Sequence, residues 1–418
     1  QRQNDSLQNN RIERVNHSNS YYLKSQLIKT EKSNLSVFLS YRTLKYEDSS
    51  LKDEPSLNSR ILYSDRYFGQ LIQTTIAYET SSGTIAQQEF TYLQVELGQG
   101  VYMWNDYNGN GIQELQEFEI APYSDLAIYV RVFLPNQVFV RTHQNKFSQA
   151  LNFNFNQWQN ETGFKKFASH FYNQTSFLIE RRIRRDGSNF DLNPFSKNDD
   201  ELIGLNTNFR NSLFFNRGKQ YHSTTYSFLI NESQNLLSVG SISAKNQSHQ
   251  LQYQHLVKKS WLFNFSGSTT STESTFENYP NRNFEIESYQ VEPKIGYLFS
   301  KNASWNIFYE FQQKENQIGA FETLKQTRLG TSFTFNSEKG FSMNGEFSMY
   351  NNSYEGNALS AVGFQMLEGL QPGKNQTWRL LLQKNLTQYL DININYQGRN
   401  SETSKTIHTG NIQLRAFF

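Results

Sequence analysis

The stretch Leu390-Asp391-Ile392-Asn393-Ile394-Asn395-Tyr396-Gln397 alternates without a fault, with Leu390, Ile392, Ile394 and Tyr396 on one parity and Asp391, Asn393, Asn395 and Gln397 on the other. A two-residue period belongs to a β-strand, whose successive side chains point to opposite faces. The same pattern recurs in Ile412, Leu414, Ala416 and Phe418 against Asn411, Gln413 and Arg415. Phe341, Met343, Gly345, Phe347 and Met349 oppose Ser342, Asn344, Glu346 and Ser348. Trp305, Ile307, Tyr309 and Phe311 oppose Asn306, Glu310 and Gln312, with Phe308 as the exception, and Trp261, Phe263 and Phe265 oppose Asn264 and Ser266. One face is apolar and aromatic, while the other carries amides, hydroxyls and charges and is too polar for a protein core. A soluble sandwich or solenoid hides its apolar face and carries fewer strands of this length. A membrane barrel turns that face to lipid and the polar face to a wet lumen. The expected fold class is therefore all-β, a transmembrane antiparallel outer-membrane β-barrel of about 16–20 strands.

Composition agrees. The chain has 418 residues, 7 Pro, 24 Tyr and 34 Phe, which suits long strands. Mean hydropathy is −0.70, and no run approaches the length of a membrane helix. Neither fact counts against a barrel, because lipid-facing and lumen-facing residues cancel in any window. Lys+Arg 40 against Asp+Glu 38 gives no strong charge imbalance, so no nucleic-acid partner is expected. Zero cysteines exclude disulfides and thiolate metal sites. Trp261, Trp305, Tyr309, Trp378, Tyr389 and Tyr396 sit near strand ends, where aromatic girdles meet the lipid interface. Gln1 to Asn10 are polar and lack the apolar segment of a leader. The expectation is a leader already removed, or a chain that forms the C-terminal part of a longer protein.

The connections alternate in length. Short turns are expected at Asn216–Lys219, Lys258–Ser260, Ser300–Asn302, Ser337–Gly340 and Lys384–Asn385, and nearer the start at Glu31–Ser33, Ser81–Gly83 and Gln159–Gly163. Longer loops are expected near 231–246, 271–283, 315–321, 351–374 and 399–405, and at 47–66, 99–144 and 184–201. Short turns belong on the periplasmic side and long loops outside the cell. Residues 18–418 are taken as the barrel, and residues 1–17 as an N-terminal extension or the end of an upstream region. The count is about seventeen strands, whereas single-chain bacterial barrels have even numbers. At least one ascending strand is therefore unseen or precedes Gln1. Parity also makes Ala361–Leu370 a short helix or inward fold within the external loop 351–374.

The run Met366-Leu-Glu-Gly-Leu-Gln-Pro-Gly-Lys-Asn375, then Trp378, Tyr396-Gln-Gly-Arg399, Ile407-His-Thr-Gly410 and Leu414-Arg-Ala-Phe-Phe418, resembles the C-terminus of large, poorly characterised outer-membrane proteins of Bacteroidota. Trp104-Asn-Asp-Tyr-Asn-Gly-Asn-Gly-Ile112 with Glu117-Phe-Glu119 is similar to another recurring stretch in them. The terminal Phe418 resembles the signal read by the barrel-assembly machinery. The resemblance implies a barrel in the bacterial outer membrane, in contact with its lipid, and relatives with an extensive region ahead of the barrel. It supplies no settled function.

Asp106-Tyr-Asn108-Gly-Asn110-Gly111-Ile112-Gln-Glu114-Leu-Gln-Glu117 matches the twelve-residue calcium-loop pattern D-x-[DN]-x-[DN]-G-x5-E. Ca2+ takes six to eight hard oxygens. Asp106, Asn108 and Asn110 would offer side-chain oxygens, Ile112 its carbonyl, Glu114 a water-mediated contact and Glu117 a bidentate carboxylate. No helix precedes the loop, because Val101–Trp104 reads as a strand. The competing reading is an Asn/Gly-rich hairpin that binds nothing. Arg131, Arg141 and the apolar stretch Tyr129–Val140 suggest that the loop 99–144 packs rather than dangles.

Chemistry is otherwise thin. The seven histidines, His17, His143, His170, His222, His249, His255 and His408, show no metal-ligand spacing, and G-x-S-x-G and H-E-x-x-H are absent from the sequence. The chain is not expected to be an enzyme. Three roles remain: a component of transport or of envelope biogenesis and protein export, acting with protein partners in an envelope complex; a structural anchor with a plugged barrel; and a surface adhesion or binding protein. A separate plug domain is not evident, which counts against a complete TonB-dependent transporter.

Overall fold

The computed structural model describes residues 2–8, 11–48, 53–86, 89–134, 139–185, 187, 189–196, 201–219, 221–237, 240–337, 340–387 and 389–417. Five strands come first: β1 (Arg2–Gln8), β2 (Arg11–Lys29), β3 (Asn34–Tyr46), β4 (Glu54–Tyr67) and β5 (Ile72–Ala86). Four short strands follow, β6 (Glu89–Gln94), β7 (Tyr102–Trp104), β8 (Phe118–Ile120) and β9 (Tyr129–Leu134), and these form a separate sheet. Long strands then resume with β10 (Phe139–Asn154), β11 (Phe171–Arg184), β12 (Leu202–Phe215), β13 (His222–Leu237), β14 (Gly240–Val257), β15 (Trp261–Phe276) and β16 (Phe284–Ser300). The last six are β17 (Ala303–Asn316), β18 (Thr323–Ser337), β19 (Phe341–Glu355), β20 (Gly373–Thr387), β21 (Leu390–Ser401) and β22 (Ile407–Ala416). Helix α1 spans Gly163–Ala168 and α2 spans Ala361–Leu367. The long strands make one 18-stranded antiparallel sheet, and the fold class is all-β. Among the described residues no helix is long and apolar enough to cross a membrane.

The chain divides into two compact units. The first holds residues 1–89, 134–213 and 228–245. Within it β1 to β5 pair in sequence order, β5 pairs with β10, and β10 with β11, all antiparallel. The second holds residues 90–133, 214–227 and 246–418, and here β15 to β22 pair each with the next.

The faces are inverted relative to a soluble protein. In the second unit Trp305, Ile307, Tyr309 and Phe311 are exposed, whereas Phe308 and Glu310 between them are buried. Phe308, the exception to the alternation, lies on the polar face with the Arg328 guanidinium 4.7 Å from its ring centroid. It packs over Gly330, where a Cβ would collide with the ring. In the first unit Tyr21, Leu23, Leu39 and Ile61 are likewise exposed. An exposed apolar face on these strands suits contact with hydrocarbon.

Several boundaries differ from the sequence reading. β1 supplies an additional strand antiparallel to β2, so β1 and the start of β2 put residues 2–8 and 11–17 in the sheet instead of in an extension. Its sequence RQNDSLQ has a single apolar residue and no periodicity to detect. Ser81–Gly83 is not a turn, since Ser81, Ser82 and Gly83 pair with Gln144, His143 and Thr142 in mid-strand. The turn is instead at Phe68, Gly69 and Gln70, three consecutive residues at positive φ. Ser-Ser-Gly is good turn chemistry, but ladder pairing with β10 overrode it. Residues 54–66 of the supposed loop 47–66 therefore belong to β4. The supposed loop 231–246 is mostly the ends of β13 and β14, and Lys384–Asn385 lies inside β20. The turns after β2, β12, β14, β16 and β18 fall where expected. Lys258 and Lys259, both at positive φ, give the twist that a tight hairpin needs. Phe418 lies outside the described residues.

Ile394 stands opposite Leu382 and Ile412, and Asn393 opposite Gln383 and Gln413. Arg at the bilayer midplane costs about 2–4 kcal/mol and little in a wet lumen. Ile394→Arg should therefore impair assembly strongly and Asn393→Arg should be tolerated, as read from heat-modifiable migration on gels. Equal damage from both would contradict the face assignment.

Candidate functional site

The connection between β5 and β10 folds as a small domain. β7 pairs with β8 and meets β9 at Tyr102 opposite Tyr129. Its core is aromatic. The Tyr92 ring stacks 4.0 Å from Phe118, and Tyr129 meets Phe118 edge-on at 5.0 Å. Arg131 lies over Phe90, Tyr102 and Phe133, at 5.4, 5.7 and 5.4 Å from their centroids. This tight packing matches the expectation that the loop packs, although residues 135–138 of the Tyr129–Val140 stretch lie outside the described residues. Arg141 belongs to β10, where it pairs with Glu54.

The calcium-type loop hangs between β7 and β8. Asp106 Oδ1 accepts the Gly109 and Asn110 N–H groups at 2.7 and 3.2 Å, and Oδ2 accepts Gly111 N–H at 2.8 Å. Asn108 Oδ1 accepts Asn110 N–H at 3.0 Å, and Asn110 Oδ1 accepts Ile112 N–H at 2.6 Å. Gly109 and Gly111 sit at positive φ, which allows the chain to close so tightly. Glu117 is buried below the loop. Its Oε1 accepts Tyr107 N–H at 3.2 Å, and its Oε2 accepts Trp104 Nε1–H at 2.8 Å and Glu114 N–H at 3.4 Å. Glu114 turns instead to the Asn108 and Gln116 amides. A carboxylate or amide oxygen has two lone pairs. In this network one stays open on each of Asp106 Oδ2, Asn108 Oδ1, Asn110 Oδ1 and Glu117 Oε1. Among the described residues no three His, Cys, Asp or Glu side chains gather as a metal cluster. Any cation here would lean on the Asn oxygens and the Ile112 carbonyl as well as on carboxylates.

The domain docks on the polar face of the second unit. Arg399 of β21 grips Asp125 bidentately, at 2.5 and 2.7 Å, and lies 4.1 Å from the Tyr123 ring centroid. Gln397, two residues earlier on the same face, donates to Ser124 Oγ at 2.7 Å. Arg282, in the turn before β16, reaches the Gln116 carbonyl and the Glu119 carboxylate, and so ties the calcium-type loop to the wall. Helix α2 folds onto the same face. Val362, Met366 and Leu367 bury against Ile286 of β16 and Leu324 of β18, while Lys314 donates to the Met366 carbonyl at 3.0 Å and to Glu368 at 2.5 Å. Of the two forms expected for Ala361–Leu370, a short helix or an inward fold, the chain forms a short helix over Ala361–Leu367. The two loops touch at Gly369, φ +80°, where a Cβ would strike the Pro122 ring. Beneath them is a cavity of about 240 Å³ lined by Tyr123, Glu346, Tyr350, Arg379, Gln397 and Arg399.

Burial shapes the ionisation of this interface. It raises the Glu119 carboxyl above its ordinary value, opposed by Arg282. It also raises the Tyr107 hydroxyl, helped by the Glu119 charge, and pushes Tyr123 up to about 12 against the pull of Arg399.

The first unit holds a feature that the sequence did not reveal. On the apolar face of β10 and β11, His143, Asn145 and Arg181 are buried beneath residues 189–196. Arg181 Nη1 meets Asp191 Oδ2 at 2.7 Å, and the Asn145 amide donates to the Asp191 carbonyl at 2.6 Å. Phe195 stacks on Phe177, and Phe190 lies against His143. Ser82 Oγ is 3.0 Å from His143 Nδ1, directly across the strand pair. The two residues are 61 apart in sequence, so spacing could not join them. His249 and His408 instead meet tyrosine hydroxyls of Tyr226 and Tyr396.

No family model and no curated protein matches the chain. Among solved structures it is similar to the outer-membrane expressed OmpT of Vibrio cholerae, with a TM-score of 0.27 and 9% identity over 78% of this chain and 89% of that one.

Two outcomes test the docking. Arg399→Ala leaves the half-buried Asp125 carboxylate without its partner, a loss of about 1–3 kcal/mol. Proteolysis within 90–133 should accelerate while the long strands stay protected, and unchanged cleavage would contradict the contact. The second concerns pH. Folded Glu119 keeps its proton above the ordinary glutamate value of 4.5, so across that window the folded loop binds more protons than the unfolded one. Hydrogen-exchange protection of residues 102–120 should fall as pH rises through that window and then level off. Glu119→Gln should flatten the profile.

Proposed function

We propose that the chain is a bacterial outer-membrane barrel that serves transport or envelope biogenesis, including protein export, in company with protein partners. The observation that carries this reading is the polar face. It is lined by amides, hydroxyls and charges on every long strand, which suits a water-filled passage. The inwardly docked 90–133 domain and helix α2 would narrow that passage at the long-loop end, on the extracellular side. Reconstituted in planar bilayers, the full chain should conduct ions. Native purification with mass spectrometry should recover defined partners. A silent bilayer would favour the second reading, an anchoring or surface-binding barrel with a plugged lumen, which the docked loops also support.

Calcium belongs to the same proposal. Asp106, Asn108, Asn110, Glu117 and the Ile112 carbonyl would hold the ion, with Glu114 acting through water. The bound ion would supply charge neutralisation that keeps the loop closed against Arg282. The donor chemistry fits, because the open lone pairs are all on hard oxygens. With two Asn in place of Asp the affinity belongs in the weak range of extracellular modules, about 10⁻⁴–10⁻³ M. Asp106→Ala with Glu117→Ala should abolish binding in calorimetry at millimolar calcium and speed cleavage within 99–144, with assembly unchanged. Identical titrations of the parent and the double variant would rule the site out.

A further inference from the structure

Register in the first unit places one lateral row of side chains across six strands. Lys24 of β2 stands opposite Phe38 of β3, Phe38 opposite Arg60 of β4, and Arg60 opposite Glu79 of β5. Glu79 stands opposite Lys146 of β10, and Lys146 opposite Glu180 of β11. Partners directly opposite in a sheet share a face, so the whole row lies on the polar side.

Its charges do not cancel locally. Arg60 Nε and Glu79 Oε1 pair at 2.9 Å. Glu180 is engaged by the Gln144 amide at 2.7 Å and lies 3.9 Å from Arg182. Among the described residues neither Lys24 nor Lys146 has a carboxylate partner. Both ammonium groups line one groove of about 960 Å³, which Arg60 and Glu79 also line. The groove therefore holds three cations and one carboxylate, a surplus of two positive charges. The rest of the lining is chiefly amide and hydroxyl, Asn58 and Gln144 among them. In the second unit the polar-face Arg328 shows the contrasting arrangement, held between Glu310 at 3.3 Å and Glu346 at 2.6 Å.

We infer that this groove is an anion-selecting wall of the passage, taking small oxyanions such as carboxylates and phosphates and disfavouring cations. Two ammonium groups that form no ion pair among the described residues attract an anion entering the lumen and repel a cation, the arrangement by which lysine- and arginine-lined pores select. The amides replace part of the water that the solute sheds. The inference rests on the channel reading and names its solute class.

The test uses the full chain in planar bilayers across a potassium chloride gradient. The parent should pass chloride several-fold better than potassium, and inorganic phosphate should reduce its current. Lys24→Glu with Lys146→Glu should reverse the preference. Lys24→Gln with Lys146→Gln should bring the ratio near unity and remove the phosphate effect, with heat-modifiable migration verifying assembly of each variant. A potassium-selective parent, or reversal potentials unmoved in both variants, overturns the anion assignment and leaves the channel reading standing. Absence of conductance from the assembled parent overturns both.

Discussion

Hydrocarbon offers no water to a backbone N–H or C=O, so each strand in the membrane must find its partners in its neighbours. On the proposed membrane reading, that requirement sets everything else in this protein. Once the ladders are in place, side-chain parity is no longer free, because a one-residue slip would carry every apolar side chain to the wrong face. Ile394 meets Leu382 and Ile412 for this reason. The same register that aligns the lipid face also aligns Lys24, Arg60, Glu79 and Lys146 on the opposite one. An electrostatic wall is thus a by-product of strand pairing, tuned by which residues occupy the inward parity.

Polar groups removed from water impose the second constraint, and three pieces of irregular chain answer it. Asp125 and Glu119 of the small domain pair with Arg399 and Arg282. Glu368 and the Met366 carbonyl, beside helix α2, receive Lys314. Asp191 receives Arg181 on the apolar face. Arg181 and Lys314 are themselves buried, so removing Asp191 or Glu368 would strand a buried cation, which costs more than the pair itself contributes. The long connections are therefore bound to the strands through matched charges, and the apolar contacts of α2 and the aromatic core around Phe118 add rigidity to them.

The architecture was legible wherever side chains alternate cleanly. The strands containing Trp305, Phe341 and Leu390, the short turns at 258–260 and 300–302, and the helix at 361–367 could all be read from parity and turn chemistry. β1 could not, since a polar strand has no period to detect, and Ser81–Gly83 misled because local turn propensity is weaker than ladder pairing with β10. At the candidate site the motif Asp106–Glu117 was visible as spacing, and its hydrogen-bonded closure follows from the short Asp and Asn side chains and two glycines at positive φ.

By itself the sequence determined the fold class and the two faces of each strand, because hydrophobic alternation is a local property that one strand carries alone. Tertiary structure alone decided which charges meet. Arg399 and Asp125 are 274 residues apart, and Lys24 and Lys146 share a groove only because β5 pairs with β10 across an inserted domain. Contacts of that kind depend on strand order and register, which no local period encodes.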